Sequence, residues 1–351
     1  MAFPAEAGHT NLPNGNWSPT IFSRKAQKAF RKTSVVQDIT NTDYMGEIAS
    51  YGDSVEIIKE PDIEVKSLKR GTNIVTQALD DAAFKLVVDQ ANYFSFSLQD
   101  IEKAHSHVNW MELATDQAGY KMTDHFDKEV LGYGAGYELD GSGDWIARTA
   151  ANGTKANALA GADELLAANK LDITNFGGSD LGVEAGPTSI PVAPGGGSGA
   201  VTSLLAILNR MKRIMDQRNI PTEGRWVVID PIAMEVLGDE DSKLINADWG
   251  GEGEVRNGRL PNRIRGFRVY QSNNLPYIGN GADTNAASGS ETNYNVIIAG
   301  HDSAMATAEQ LSKTQRFDSP TQFAEVVRGM HLYGRKILRP EALVTAVWNL
   351  A

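Results

Sequence analysis

One stretch limits the possible folds more than any other. From Ser97 to Leu131, apolar residues recur at Ile101, Ala104, Val108, Met111, Ala114, Ala118, Met122, Phe126 and Val130. Steps of three and four place them on one face of a 3.6-residue helix. Ser97 is suited to cap the first free amides, with Asp100 in the first turn. The glycines of Leu131-Gly132-Tyr133-Gly134-Ala135-Gly136 are suited to end the helix. The spacing therefore predicts one rod over 97–131, roughly 50 Å long at 1.5 Å per residue. A rod of that length with a single narrow apolar stripe is a girder for other elements, structural rather than catalytic.

The segments before it read as limbs. Residues 1–20 are turn-formers with little to bury. Arg24, Lys25, Lys28, Arg31 and Lys32 follow without an acid among them, beside Phe22, Ala26, Ala29 and Phe30 at helical spacing. This basic segment reads as a solvated helix face, as a clasp onto an acidic neighbour, or as a contact with DNA. From Ser54, Val55, Ile57, Ile63 and Val65 alternate with Glu56, Lys59, Asp62, Glu64 and Lys66, a strand pattern. After a polar middle holding Lys66, Lys69 and Arg70, a second strand pattern over Phe84–Phe96 runs into the helix. A long two-stranded arm is at best marginally stable alone, and its open edges invite another chain.

Beyond the helix the pattern mixes strands and helices. Residues 140–199 are rich in Ala, Gly and Asn. An amphipathic helix is expected over 200–218 through Val201, Leu204, Leu205, Leu208, Met211 and Met215. The compact strand Trp226–Ile229 ends at Asp230-Pro231, a cap and first-turn pair that opens another helix. Further strands are expected at 263–271, 296–299 and 323–338. The last strand, 343–348, is expected to pack beside the long helix.

Composition excludes several functions. No stretch nears the roughly 20 apolar residues of a membrane helix. The absence of Cys removes disulfides and thiolate sites, and a net charge of −11 opposes non-specific wrapping of nucleic acid. Of six His, His105 and His107 are two apart on the predicted helix and point apart. Asp140-Gly141-Ser142-Gly143-Asp144 opens like a calcium loop but has Trp145 and Ala151 at the sixth and twelfth places. Pro194-Gly195-Gly196-Gly197-Ser198-Gly199 lacks the lysine and preceding strand of a phosphate loop. No catalytic residue, cofactor or metal ligand is assigned, and the chain is not expected to be an enzyme.

The order of parts, together with five local stretches, resembles the major capsid proteins of tailed bacteriophages, of the Hong Kong 97-like fold, and most closely those of short-tailed phages. The stretches are Val227-Val228-Ile229-Asp230-Pro231; Ile264-Arg265-Gly266-Phe267-Arg268-Val269 with Asn274-Leu275-Pro276; Tyr333-Gly334; Leu338-Arg339-Pro340-Glu341-Ala342; and the junction Lys85-Leu86-Val87-Val88-Asp89 through Asp100-Ile101. The resemblance implies an α+β fold with an N-terminal arm (1–33), an E-loop hairpin (54–96), a peripheral domain (34–53 with 97–139 and 300–351, including a spine helix at 97–131) and an axial domain (140–299). It further implies self-assembly through hexamers and pentamers into an icosahedral shell of the virion, formed in the host bacterial cytoplasm. The shell would enclose double-stranded DNA without sequence-specific binding or a membrane. With about 33 residues before the core, a separate scaffolding protein is expected. A portal protein, and in some relatives a cement or decoration protein, completes the partners. Arg24, Lys25, Lys28, Arg31, Lys32, Lys66, Lys69 and Arg70 are the expected inter-subunit contacts. Encapsulin-type compartments share this fold, and a soluble hydrolase or carbohydrate-binding protein is the alternative of another class.

Overall fold

A computed structural model describes residues 34–43, 54–58, 63–68, 70–71, 73, 76–77, 83–101, 110–139, 143–147, 165–176, 189–193, 202–238, 263–278 and 294–350. Four α-helices among them are α1 (Val36–Ile39), α2 (Trp110–Ala135), α3 (Leu204–Gln217) and α4 (Pro231–Gly238).

The long helix is present with different ends. Ser97, Leu98 and Gln99 are not its first turn but the end of a 17-residue strand, Ala83–Gln99. They pair with Val326, Glu325 and Ala324 of a neighbouring strand, and ladder hydrogen bonds outweigh the local capping signal of Ser97. Asp100 and Ile101 are helical, and α2 is described from Trp110; residues 102–109, with His105 and His107, lie outside the described residues. At the other end Gly132 and Gly134 stay inside α2, and the chain breaks only at Gly136, with φ +87°. The two inner glycines serve packing instead. A Cβ on Gly132 would collide with the Trp145 ring, and one on Gly134 would lie 2.5 Å from Met305 Sδ.

Two sheets flank this helix. The first has the order β1-β2-β13-β12: β1 (Ser54–Ile58), β2 (Ala83–Gln99), β12 (Met305–Asp318) and β13 (Ala324–Ile337). β1 pairs with residues 83–87 of β2, and from Val88 onward β2 pairs with β13. A single strand thus serves both the projecting hairpin and the sheet on α2. Ile63 and Val65, expected in a strand, sit in a segment without regular structure.

The second sheet has eight strands. Its main path is β5-β14-β11-β7-β9-β8, with β10 on β11 and β6 on β14. In chain order these are β5 (Lys170–Leu171), β6 (Ile190–Val192), β7 (Arg225–Ile229), β8 (Arg263–Ile264), β9 (Phe267–Gln271), β10 (Tyr277–Ile278), β11 (Tyr294–His301) and β14 (Leu343–Leu350). The remaining pair, β3 (Tyr137–Leu139) and β4 (Trp145–Ala147), forms a small hairpin after α2. Both faces of the eight-stranded sheet are buried, which is why β7, β11 and β14 read as nearly unbroken apolar runs. Trp226, Val228, Val296, Ile298, Leu343 and Val347 face a core shared with Phe126, Val130 and Leu131 of α2. Their alternate neighbours Val227, Ile229, Ile297, Ala299, Val344, Ala346 and Trp348 face a second core with α3 and α4. Period-two alternation in the strands sorts these residues to opposite sides.

The C-terminal strand packs against the long helix as expected, one face of β14 sharing a core with α2, while its hydrogen bonds run to β11, β5 and β6. The sheet therefore joins strands from both sides of residue 299. The hairpin β8–β9 turns on Arg265 (φ +54°) and Gly266 (φ +92°), the two positive values a type I′ turn requires.

Candidate assembly surfaces

The hairpin arm is built on β1 and the first residues of β2, and its described outer segment is fully exposed. Lys66 and Arg70 both lie there in solvent. Lys66 Nζ is 3.7 Å from Glu64 Oε2, an exposed pair of the kind that contributes little. The Glu64 amide donates to Gln77 Oε1 at 3.0 Å, tying the two sides of the arm, and Gly71 turns with φ +91°. Lys69, and Arg24, Lys25, Lys28, Arg31 and Lys32 of the basic segment, lie outside the described residues. What the charge pattern missed is the apolar content: Ile63, Val65 and Leu68 are exposed, Val65 to 95%. The signal was present in the strand alternation itself.

A second exposed apolar group sits at the other end of β2. Phe323 (89%) and Trp110 (54%) stand in solvent with Ile101, and Tyr93 (80%) is exposed farther back along β2 on the opposite face of the sheet. Phe96, Leu98, Trp110, Met111 and Ala114 line a groove of about 300 Å³ where β2 meets the start of α2. Along the sheet face away from α2, Tyr93 pairs across the strands with Met330, and Arg328 lies over the Phe317 ring at 4.8 Å. A monomer that exposes this many large side chains in groups is presenting contact surface.

Beneath the sheet, polar groups fix α2 to β2 and β13. Asn92 Nδ2 donates to Glu129 Oε2 (3.0 Å) and to Tyr333 Oη (3.2 Å), and Arg335 lies over the Tyr133 ring at 5.2 Å. His331 stacks on Tyr333, meets the edge of Phe126 and approaches Glu309 at 3.6 Å. The His331 side chain holds the Glu309 carboxyl below its ordinary range, against the opposing effect of burial.

A cavity of about 620 Å³ opens where β7 and β9 end, lined by Trp145, Tyr277, His125, Lys128, Ser272 and Asp230 among others. Burial pushes the Asp230 carboxyl up to about 6, while the nearby amides of Ile232 and Ala233 pull the other way. Neither Asp230 oxygen meets a donor with full hydrogen-bond geometry. Among the described residues no group of three His, Asp or Glu is placed to hold a metal ion.

No protein-family model matches the sequence, and no curated protein matches it either. The architecture itself is that of phage capsid subunits. The chain and the capsid subunit of cyanophage Pam1 cover each other completely, with TM-score 0.66 at 15% identity. The capsid structure of cyanophage P-SCSP1u is matched over 100% of both chains, with TM-score 0.65 at 18% identity. A structure from Mycobacterium phage Che8 is matched over 95% of this chain and 98% of its own, with TM-score 0.64 at 20% identity.

Proposed function

We propose that the chain is a major capsid protein of a tailed phage, whose copies assemble as hexamers and pentamers into an icosahedral shell around double-stranded DNA. The observation that carries this is the end-to-end match to capsid subunits, limbs included. The role is structural rather than enzymatic, and the shell locates the protein in the virion after assembly in the bacterial cytoplasm. Among the described residues no helix is long and apolar enough to cross a membrane.

In this reading the hairpin over 54–96 is the E-loop, α2 the spine of a peripheral domain made of 34–53, 97–139 and 300–351, and residues 140–299 the axial domain. The exposed apolar residues Ile63, Val65 and Leu68, beside Lys66, Lys69 and Arg70, support contact between the arm and a neighbouring copy. Closed symmetry fixes which patches meet. A scaffolding protein, a portal protein and, in some shells, a cement protein are the further partners. The DNA is enclosed without base-specific contact, in keeping with a net charge of −11.

The test is expression of the full chain, followed by sedimentation and negative-stain microscopy, with and without co-expressed candidate scaffolding protein. Large closed particles are the expected result; a small solitary species under both conditions refutes the proposal. Exchange of Lys69 and Arg70 for Glu is expected to reduce particle yield while the subunit still folds, and normal yield removes them from the contact. Particles at normal yield and heat resistance after deletion of residues 1–33 exclude the basic segment from a subunit boundary.

A further inference from the structure

The two limbs share one root. Residues 34–41 lie as a strap across α2 and β12, after the basic segment and before the hairpin. At its start, Asp127 of α2 is fully buried, and its Oδ1 accepts from Ser34 Oγ (2.8 Å), Val35 N (3.0 Å) and Val36 N (3.0 Å). The short helix α1 has no side-chain cap of its own, so a carboxylate from another helix takes that place. At its far end the strap joins β12. Asn41 N donates to Met305 O at 2.8 Å, Thr307 N donates to Asn41 O at 3.1 Å, and the hydroxyls of Thr40 and Thr307 are 3.0 Å apart. Val35, Val36 and Ile39 fill the core between these ends.

The same carboxylate reaches the other sheet. Asp127 Oδ2 accepts from Asn274 Nδ2 (3.1 Å), and that amide also donates to Asp124 Oδ1 (3.0 Å). Asn274 lies in the turn between β9 and β10, itself held by Ser272 Oγ, which accepts from the Asn274 amide at 3.1 Å. One buried group therefore gathers the strap, the long helix and a loop of the eight-stranded sheet. Charge-assisted hydrogen bonds of this kind are about twice as strong as neutral ones.

We propose that Asp127 is the pin of a latch: it couples the root of both limbs to the β9–β10 loop, so that these parts loosen together while the sheets stay folded. Asp127 is a positioning residue in this scheme. The latch goes beyond the capsid assignment and stands or falls without it, since its primary readout is made on the subunit.

The experiment is amide hydrogen exchange on the full chain, comparing wild type with Asp127→Ala and Asn274→Ala. Asp127→Ala is expected to speed exchange at least tenfold at Val35, Val36 and Asn274, with Val296–Ala299 and Val344–Val347 unchanged. Asn274→Ala, the milder change, is expected to speed exchange several-fold at Val35 and Val36, across the carboxylate from the altered residue. The proposal is overturned if Val35 and Val36 keep wild-type protection in Asn274→Ala. Equal loss of protection by the two sheets and the strap in Asp127→Ala also overturns it, since Asp127 is then a general core residue. If Asp127→Ala does not fold, Asn274→Ala decides alone.

Discussion

Gly334 sits where β2 changes partners, and exchanging it for alanine tests whether that crossing is as tight as it looks. The register between β13 and β2 shifts between Tyr333 and Gly334, so Gly334 faces Val88 at the junction of hairpin and sheet. A Cβ there would lie 2.5 Å from the carbonyl oxygen of Val87 and 3.1 Å from Val88 Cα. Those are backbone atoms in a paired strand, so relief requires β2 itself to move by roughly 1 Å, at the expense of ladder hydrogen bonds. Overpacking of this kind costs about 1–3 kcal/mol. With an unfolding entropy near 2.1 cal/mol/K per residue, that lowers the melting temperature by about 1–4 °C for this chain. Gly329→Ala on the same strand is the internal control. The three atoms nearest its Cβ would all belong to the Phe94 ring, a partly buried side chain that can rotate away, and a smaller loss is expected. Calorimetry of both purified variants measures the difference. A Gly334→Ala protein as stable as wild type, or less damaged than Gly329→Ala, refutes the reasoning.

Three further outcomes follow from buried polar groups. Glu309, held below its ordinary value of 4.5 by His331, contributes stability that is present above that value and lost as pH falls through the lowered one; Glu309→Gln is expected to flatten the acid limb of a denaturation-versus-pH curve. Asp230 has the opposite sign: with its carboxyl raised to about 6, the folded state holds the proton longer, so stability falls as pH rises from about 4 to about 6. Asp230→Asn keeps a capping residue without the buried charge, and urea melts at pH 7.5 are expected to show it at least as stable as wild type. Asn169, fully buried, donates through Nδ2 to the carbonyls of Leu343 (2.6 Å) and Pro340 (3.0 Å); Asn169→Ala is expected to cost about 1–3 kcal/mol in urea denaturation by leaving those carbonyls unpaired.

Local chemistry made part of this legible. Trp226–Ile229 followed by Asp230-Pro231 read correctly as strand and helix start because cap, proline and apolar run all agree. The 323–338 strand and the amphipathic face of α3 were readable for the same reason, each having a clean period. Ser97 misled because a capping signal is worth about 1 kcal/mol, less than three residues of ladder with β13. β12 was missed altogether: Ala308-Glu309-Gln310-Leu311-Ser312-Lys313-Thr314 is too polar to announce a strand, and its pairing with β13 is what makes it one. The candidate contact surfaces were sought in charge, whereas exposed Phe323 and Tyr93 become notable only once the fold leaves them uncovered. Asp127 carried no signal, since its partners Ser34 and Asn274 are 93 and 147 positions away.

The place of β14 in its sheet has a consequence for timing in the cell. That strand lies between β11 on one side and both β5 and β6 on the other, so those two short strands join the rest of the sheet only after residues 343–350 have left the ribosome. Until then β5 and β6 lack their partner and one edge of β11 stays open. An open edge of that kind invites another strand, so the late arrival of β14 lengthens the interval in which a chaperone or a second copy can occupy its place.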